Sequence, residues 1–406
     1  MIRHSRRLKT SQGLAAGRVA LALFAVTCGV NLQAPLYAAY AERAGMGAAA
    51  TALAFCCYAA SLLPCLLLLG GLSDRLGRRV MLETSLGCAI LAALLMALHG
   101  SFQALILARL LQGLSVGFSF AAGAAWMREL IPADRAAHFT TASTALGFGI
   151  GPAATFLVLE LWPEAGAAGA TPVSYWIHPL LTLVAAALLF GIPQPGASAA
   201  DRPAGYRPPL ATLPLLPRGT WPAGLAIAIA WATAGLMIAV MPRALRVYGL
   251  DNWSGLGIFC VTAAGFFIQP LARKLGPERS VRIGILVLPA AFLLIALGAR
   301  FGWLAPLLLG AALNGSSSFG LAYLGGLRLF QAAAQGSSPG GGSQARAAAG
   351  YFLWIYLGFS LPVLGGGALA DGIGMDAMLV VFGLAEVALC GWALAGLARL
   401  QAAPAR

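Results

Sequence analysis

The chain has 406 residues, of which 60% are hydrophobic and only 10% charged, and its formal net charge is +13. Soluble domains are about a quarter charged, so a soluble enzyme is excluded, and the basic residues alternate with apolar runs rather than forming one nucleic-acid-binding patch. The seven cysteines sit inside apolar runs without metal-ligand spacing; they read as small hydrophobes, and no metal site is expected.

Arg3, Arg6, Arg7, Lys9 and Arg18 precede an apolar run that is longer than a signal-peptide core and has no small-residue cleavage site to end it. A retained first helix is expected. Runs close to the ~20 residues that cross a bilayer as a helix then recur at 16–38, 49–70, 80–98, 102–125, 138–160, 175–193, 220–241, 252–272, 281–299, 303–328, 347–369 and 375–398. Twelve spans put both termini on one side. With the N-terminus inside, 21 of the 26 basic residues fall in cytoplasmic segments and only Arg43, Arg243, Arg246 and Arg300 outside. The excess of inside bases predicts a multi-pass inner-membrane protein with both termini cytoplasmic. Between spans six and seven, residues 194–219 are rich in Pro, Ala and Arg and read as a flexible cytoplasmic linker between two halves, 1–193 and 220–406. A second polar stretch, Gln331–Arg346, reads as a mobile loop.

Between spans two and three, Gly70-Gly-Leu-Ser-Asp74-Arg75-Leu-Gly77-Arg78-Arg79 is a dense charge cluster at a membrane face. Taken alone it is a tight turn held in the cytoplasm by its bases. The order of glycines, acid and bases in this place resembles the motif that major facilitator superfamily transporters carry between their second and third helices. That resemblance implies an all-α membrane fold of twelve helices in two pseudo-symmetric six-helix halves. After span four, Arg128-Glu129-Leu130-Ile131-Pro132-Ala133-Asp134-Arg135 is similar to a second pattern of the superfamily. Glu129 is expected to pair with Arg78 or Arg75 when the inner side is closed; as a solvated loop the same charges are worth ~0–1 kcal/mol. A faint repeat supports two halves: the Leu76-Gly77 pair is echoed by Leu275-Gly276, and Arg273 stands where the first copy has Asp74.

Span four holds Arg109, Gln112 and Gly113. An arginine at this depth costs a few kcal/mol unless it meets water or a partner; the alternative is that it snorkels to the headgroups. The segment resembles the superfamily's fourth-helix motif, which implies a cavity-facing arginine for proton coupling or substrate binding. In span five, Gly147, Gly151 and Pro152 leave a flat helix face and permit a bend. They resemble the motif of the antiporter branches, although Ala153 and Ala154 depart from its continuation. Within the spans, Asn31, Gln33, Gln112, Trp231 and Asn314 are the polar or aromatic residues expected to line a substrate cavity with Arg109. Glu160 and Glu386 are the intramembrane acids, and Glu83 is placed to partner the arginines of the turn.

No HExxH or Walker loop occurs, and the GxSxG match at Gly113-Leu-Ser115-Val-Gly117 lies inside an apolar span rather than at the strand-to-helix turn a nucleophile elbow needs, so an enzyme is not expected. The reading is a secondary transporter of a small amphipathic or anionic solute, exporting by alternating access on a proton gradient, with no cofactor, no nucleic-acid partner and a monomeric state in the bilayer. Proton-coupled uptake of an organic acid or sugar is the alternative within transport. A transporter-like sensor is the alternative from another class, and it would be expected to carry a long soluble output segment.

Overall fold

The computed structural model describes residues 2–69, 71–166, 171–192, 211, 213–337 and 341–402. In hydrocarbon every backbone N–H and C=O must find its partner within the segment, and the apolar runs accordingly fold as helices: α1 (Ile2–Val30), α2 (Ala48–Leu68), α3 (Arg78–His99), α4 (Phe102–Leu130), α5 (Ala133–Leu161), α6 (Ser174–Leu189), α7 (Trp221–Ala239), α8 (Ser254–Leu275), α9 (Pro277–Phe301), α10 (Leu304–Gly315, continued through a wide turn to Ser337), α11 (Gly341–Ile373) and α12 (Met375–Ala402). Among the described residues eleven segments are long and apolar enough to span a membrane, and α6 is a shorter apolar helix.

The packing repeats. In the first six helices α5 lies on α1, α2 and α3 lie on α4, and α6 lies on α3; in the last six α11 lies on α7, α8 and α9 lie on α10, and α12 lies on α9. The two sets meet along α2 against α11 and α5 against α8. The Leu-Gly echo is a backbone echo as well. Gly77 (φ +97°, ψ 149°) and Gly276 (φ +78°, ψ 161°) both turn the chain into the following helix in a region that only glycine occupies without strain.

Three helices depart from the expected continuous spans. The first breaks at Asn31–Gln33, passes through a 3-10 turn at Ala34–Leu36 and resumes as Tyr37–Arg43. Pro35 has no N–H to give the helix and disfavours helical backbone in the residue before it. The seventh breaks at Val240, two residues before Pro242, and continues as Met241–Arg246. The tenth widens into a π-helical turn over Ser316–Leu321.

The stretch 331–346 is not a long loop: α10 runs to Ser337 and α11 starts at Gly341, as the alanine-rich Gln331–Gln335 favours. Most of the expected linker lies outside the described residues. Its end is tied to the start of α11, with Leu215 N–H donating to Arg346 O at 2.8 Å and Arg346 Nε to Leu213 O at 3.2 Å.

Candidate functional site

The break in α1 frees the last carbonyls of a helix in the middle of the bundle, and each needs a hydrogen-bond donor from outside its own helix. Residues of α4 supply them. Arg109 Nη1 donates to Val30 O at 2.6 Å and to Gln112 Oε1 at 3.1 Å, while Gln112 Nε2 donates to Gly29 O at 2.9 Å. Gln33, in the break itself, closes the network by donating to Gln112 Oε1 at 2.9 Å. A guanidinium at a helix C-terminus is also favoured by the helix dipole. Its flat face lies over the ring of Tyr58, 4.7 Å from the centroid, and near Phe55 at 5.5 Å and Tyr37 at 5.9 Å, an arrangement that stabilises a desolvated cation. Arg109 is fully buried, and its Nε and Nη2 have no hydrogen-bond partner.

In the second half the wide turn of α10 raises the same problem, because a π-helical register leaves carbonyls loosely bonded. Here four helices answer. Trp231 Nε1 of α7 donates to Ser318 O at 2.7 Å, Gln269 of α8 to Phe319 O at 3.2 Å, Ser280 of α9 to Leu321 O at 2.7 Å and Tyr351 of α11 to Ala322 O at 2.7 Å. Asn314, fully buried just before the turn, donates to Ala230 O of α7 at 3.0 Å.

Between the halves lies a cavity of about 730 Å³. Its deep end is at Val30, Asn31, Trp231 and Ile258, and it reaches the face of the α2–α3 turn at Gly71, Ser73, Arg78 and Arg128. Aromatic rings line it throughout, with Trp231 tilted against Phe319 (4.8 Å) and edge-to-face with Phe359 (5.1 Å). Thr140, Thr141, Thr144, Thr262 and Gln269 supply scattered polar atoms, and among the described residues no acid is in its lining.

The expected cavity residues therefore divide. Asn31 and Trp231 line it. Arg109, Gln112, Gln33 and Asn314 do not: they are buried behind the wall, bonded to backbone. The face of α4 that carries Arg109 is turned towards α1 and α2, and Gly113 and Gly117 let α2 approach so closely that a Cβ would strike Ser61, the Tyr58 carbonyl and Cys65. Arg109 reaches the cavity through Tyr58 and Val30, both of which line it. On α5, Gly147 and Gly151 lie against Thr27, Phe24 O and Cys28 O of α1, while Pro152 O lies against Gly255 of α8.

At the turn, Gly70 and the side chain of Asp74 lie outside the described residues. Arg78 donates to Glu129 at 3.2 Å and to Ser73 at 2.6 Å; Arg79 pairs with Glu83 at 2.6 Å and covers the Phe190 ring. Arg75 and Arg135 are exposed. The Arg78–Glu129 pair thus forms while the cavity reaches this face, and both partners belong to the first half. It links α3 to α4 and does not by itself bridge the halves.

The bridging contacts are on the opposite face, and the sequence reading did not assign them. Both carboxylate oxygens of Asp371, at the end of α11, accept the N–H groups of Ala48 and Ala49 that open α2, each at 2.8 Å. Arg246 lies 3.1 Å from Glu42 of the first half and 3.8 Å from Asp251 of its own. Asn252 donates to Glu160 at 3.4 Å, and Trp253 packs on Phe156. Only the isolated acids and bases in otherwise apolar flanks hinted at this; their pairing needed the fold.

A bundle of two like halves around a central cavity that reaches one face and is sealed at the other is the architecture of a secondary transporter. The chain belongs to the Major Facilitator Superfamily, whose family model matches residues 19–361. It is similar in fold to a crystal structure of a point mutant of the nucleoside transporter NupG, with a TM-score of 0.72 and 11% identity over 94% of this chain and 99% of that one. It is a multi-pass membrane protein of the transporter class.

Proposed function

We propose that this transporter moves small amphipathic organic anions, and that it exports them on a proton gradient. The observation that carries the substrate class is the cavity: rings along its length, Arg78 and Arg128 near its mouth and, among the described residues, no acid in its lining. A cation entering it would be desolvated without a counter-charge, which costs several kcal/mol. An aromatic carboxylate or sulfonate buries its ring against the walls and meets positive potential at the entrance. Residues 1–193 and 220–406 act as two bodies. The α2–α3 turn and both termini face the cytoplasm of an inner-membrane protein that works as a monomer, without a cofactor and without a nucleic-acid partner.

In this reading the cavity is open to the cytoplasm. The sealed face must open in the alternate state, which breaks the Asp371 clamp on α2 and the Glu42–Arg246 pair. Closing the other mouth then brings α11 towards the α2–α3 turn, with Asp74, Arg75, Arg78, Arg79, Glu129 and Arg135 as the gate. Export rests on the similarity of the Gly147, Gly151, Pro152 segment to the antiporter motif.

Everted membrane vesicles test both parts, with naphthalene sulfonate as a probe that stays anionic and does not leak. Accumulation when the lumen is acid, abolished by an uncoupler, is the expected result. Accumulation confined to right-side-out vesicles would instead mean uptake. Equal transport of a quaternary ammonium dye of the same size would overturn the anion assignment.

A further inference from the structure

Glu386 is set in the middle of α12, 2% exposed, and faces inward onto α7. Its Oε2 accepts the hydroxyl of Thr233 at 2.8 Å, and its Oε1 is buried with no hydrogen-bond partner. A carboxylate charge in such a place is solvated by one hydroxyl, and burying it without a cation is costly. The groups around it offer no relief. From α7 comes only Thr233, since Trp221–Ala239 contains no titratable side chain. On α9 the charged residues are Glu278, Arg279 and Arg282 near one end and Arg300 at the other. On α11 the charges, Arg346 and Asp371, lie towards the ends, and the Tyr351 hydroxyl between them is given to Ala322 O. On α12 itself the neighbour one turn on is the Cys390 thiol, with Asp376 and Arg399 at the ends.

The geometry points to Glu386 as the proton-binding site that couples this transporter to the gradient. Its partner helix is the reason. Thr233 stands between Trp231 and Ala234, which line the cavity, and α7 ends at the break near Val240. A movement of α7 between the two states displaces Thr233 relative to α12. While the two helices are packed as here, the O–H bond at the carboxyl persists and the group is neutral. When they part and water enters, that bond breaks and the proton leaves to water on that side; on return, a proton from the other side re-forms it. Arg109 cannot exchange a proton, because an arginine stays charged. His178, also buried, has Nε2 engaged with Ala25 O at 2.9 Å and is far from this pair in the fold, on α6 against α1.

The proposal rests on the proton-coupled reading above, and the test separates the two. Glu386→Gln keeps the size and the bond to Thr233, so the variant is expected to fold and insert. In proteoliposomes with naphthalene sulfonate, the variant is expected to lose pH-gradient-driven accumulation by about tenfold or more while exchange at equal pH on both sides changes less than about twofold. Infrared difference spectra of the purified proteins between acid and alkaline buffer should show a protonated-carboxyl C=O band in the wild type that is missing from the variant. Gradient-driven accumulation equal in both proteins, or an unchanged carboxyl band, overturns Glu386. Gradient-independent transport by the wild type overturns proton coupling itself.

Discussion

The two halves meet the same physical difficulty, loose carbonyls at the middle of the bundle, and resolve it differently. In the first half one charged residue and one amide of α4 hold the broken end of α1. In the second, four neutral side chains from four helices hold the wide turn of α10. A concentrated solution makes a single side chain decisive, because Arg109 binds the break, orders Gln112 and Gln33, and carries Tyr58 on its face. A distributed one tolerates losses, because each neighbour satisfies one carbonyl. The difference teaches where sensitivity to mutation should lie.

Arg109→Ala is the sharpest way to break the comparison. It removes the short charge-assisted bond to Val30 O and leaves only the longer 3.3 Å one from Gln33, a loss of about 1.5–3 kcal/mol, and loosens the wall at Tyr58 and Asn31. The expected outcome is a lower unfolding midpoint for the purified protein and transport of naphthalene sulfonate reduced about a hundredfold, the scale on which small misplacements act. Full transport with normal stability would show that the break does not depend on α4. Trp231→Phe keeps most of the ring but removes the bond to Ser318 O. About 1 kcal/mol of stability should be lost, with a several-fold weaker apparent affinity in the same assay, since this ring also lines the cavity. The mildest case is Ser280→Ala, whose hydroxyl serves Leu321 O, neither residue lining the cavity; it should cost no more than about 1 kcal/mol and leave the transport rate unaltered. A loss from Ser280→Ala as large as that from Arg109→Ala would erase the contrast between the halves.

The two faces of the protein differ in a related way. At the α2–α3 turn the described ion pairs, Arg78–Glu129 and Arg79–Glu83, stay within the first half. At the opposite face Asp371 and Glu42 form bonds from one half to the other. The charge pattern of the turn stands out in the sequence because its glycines, acid and bases are contiguous. The seal is spread over residues 42, 48, 246 and 371, so no local pattern marks it. The same holds for Glu386, whose partner is 153 positions away.

Span number, approximate span ends and the family were legible because hydrocarbon imposes long apolar runs and because short contiguous motifs survive in the chain. The Leu-Gly echo pointed to equivalent turns for the same reason: a positive φ admits little but glycine. The breaks in α1 and α7 were signalled only by Pro35 and Pro242, which also occur inside unbroken helices such as α2 and α5. That Arg109 sits behind the wall rather than in the cavity could not be read from α4, since a helix face has meaning only against its neighbours. Composition alone determined that this chain lives in a membrane as a helical bundle. Which buried polar groups serve the backbone, which line the cavity and which lock a face were decided by packing, because each depends on partners brought from distant parts of the chain.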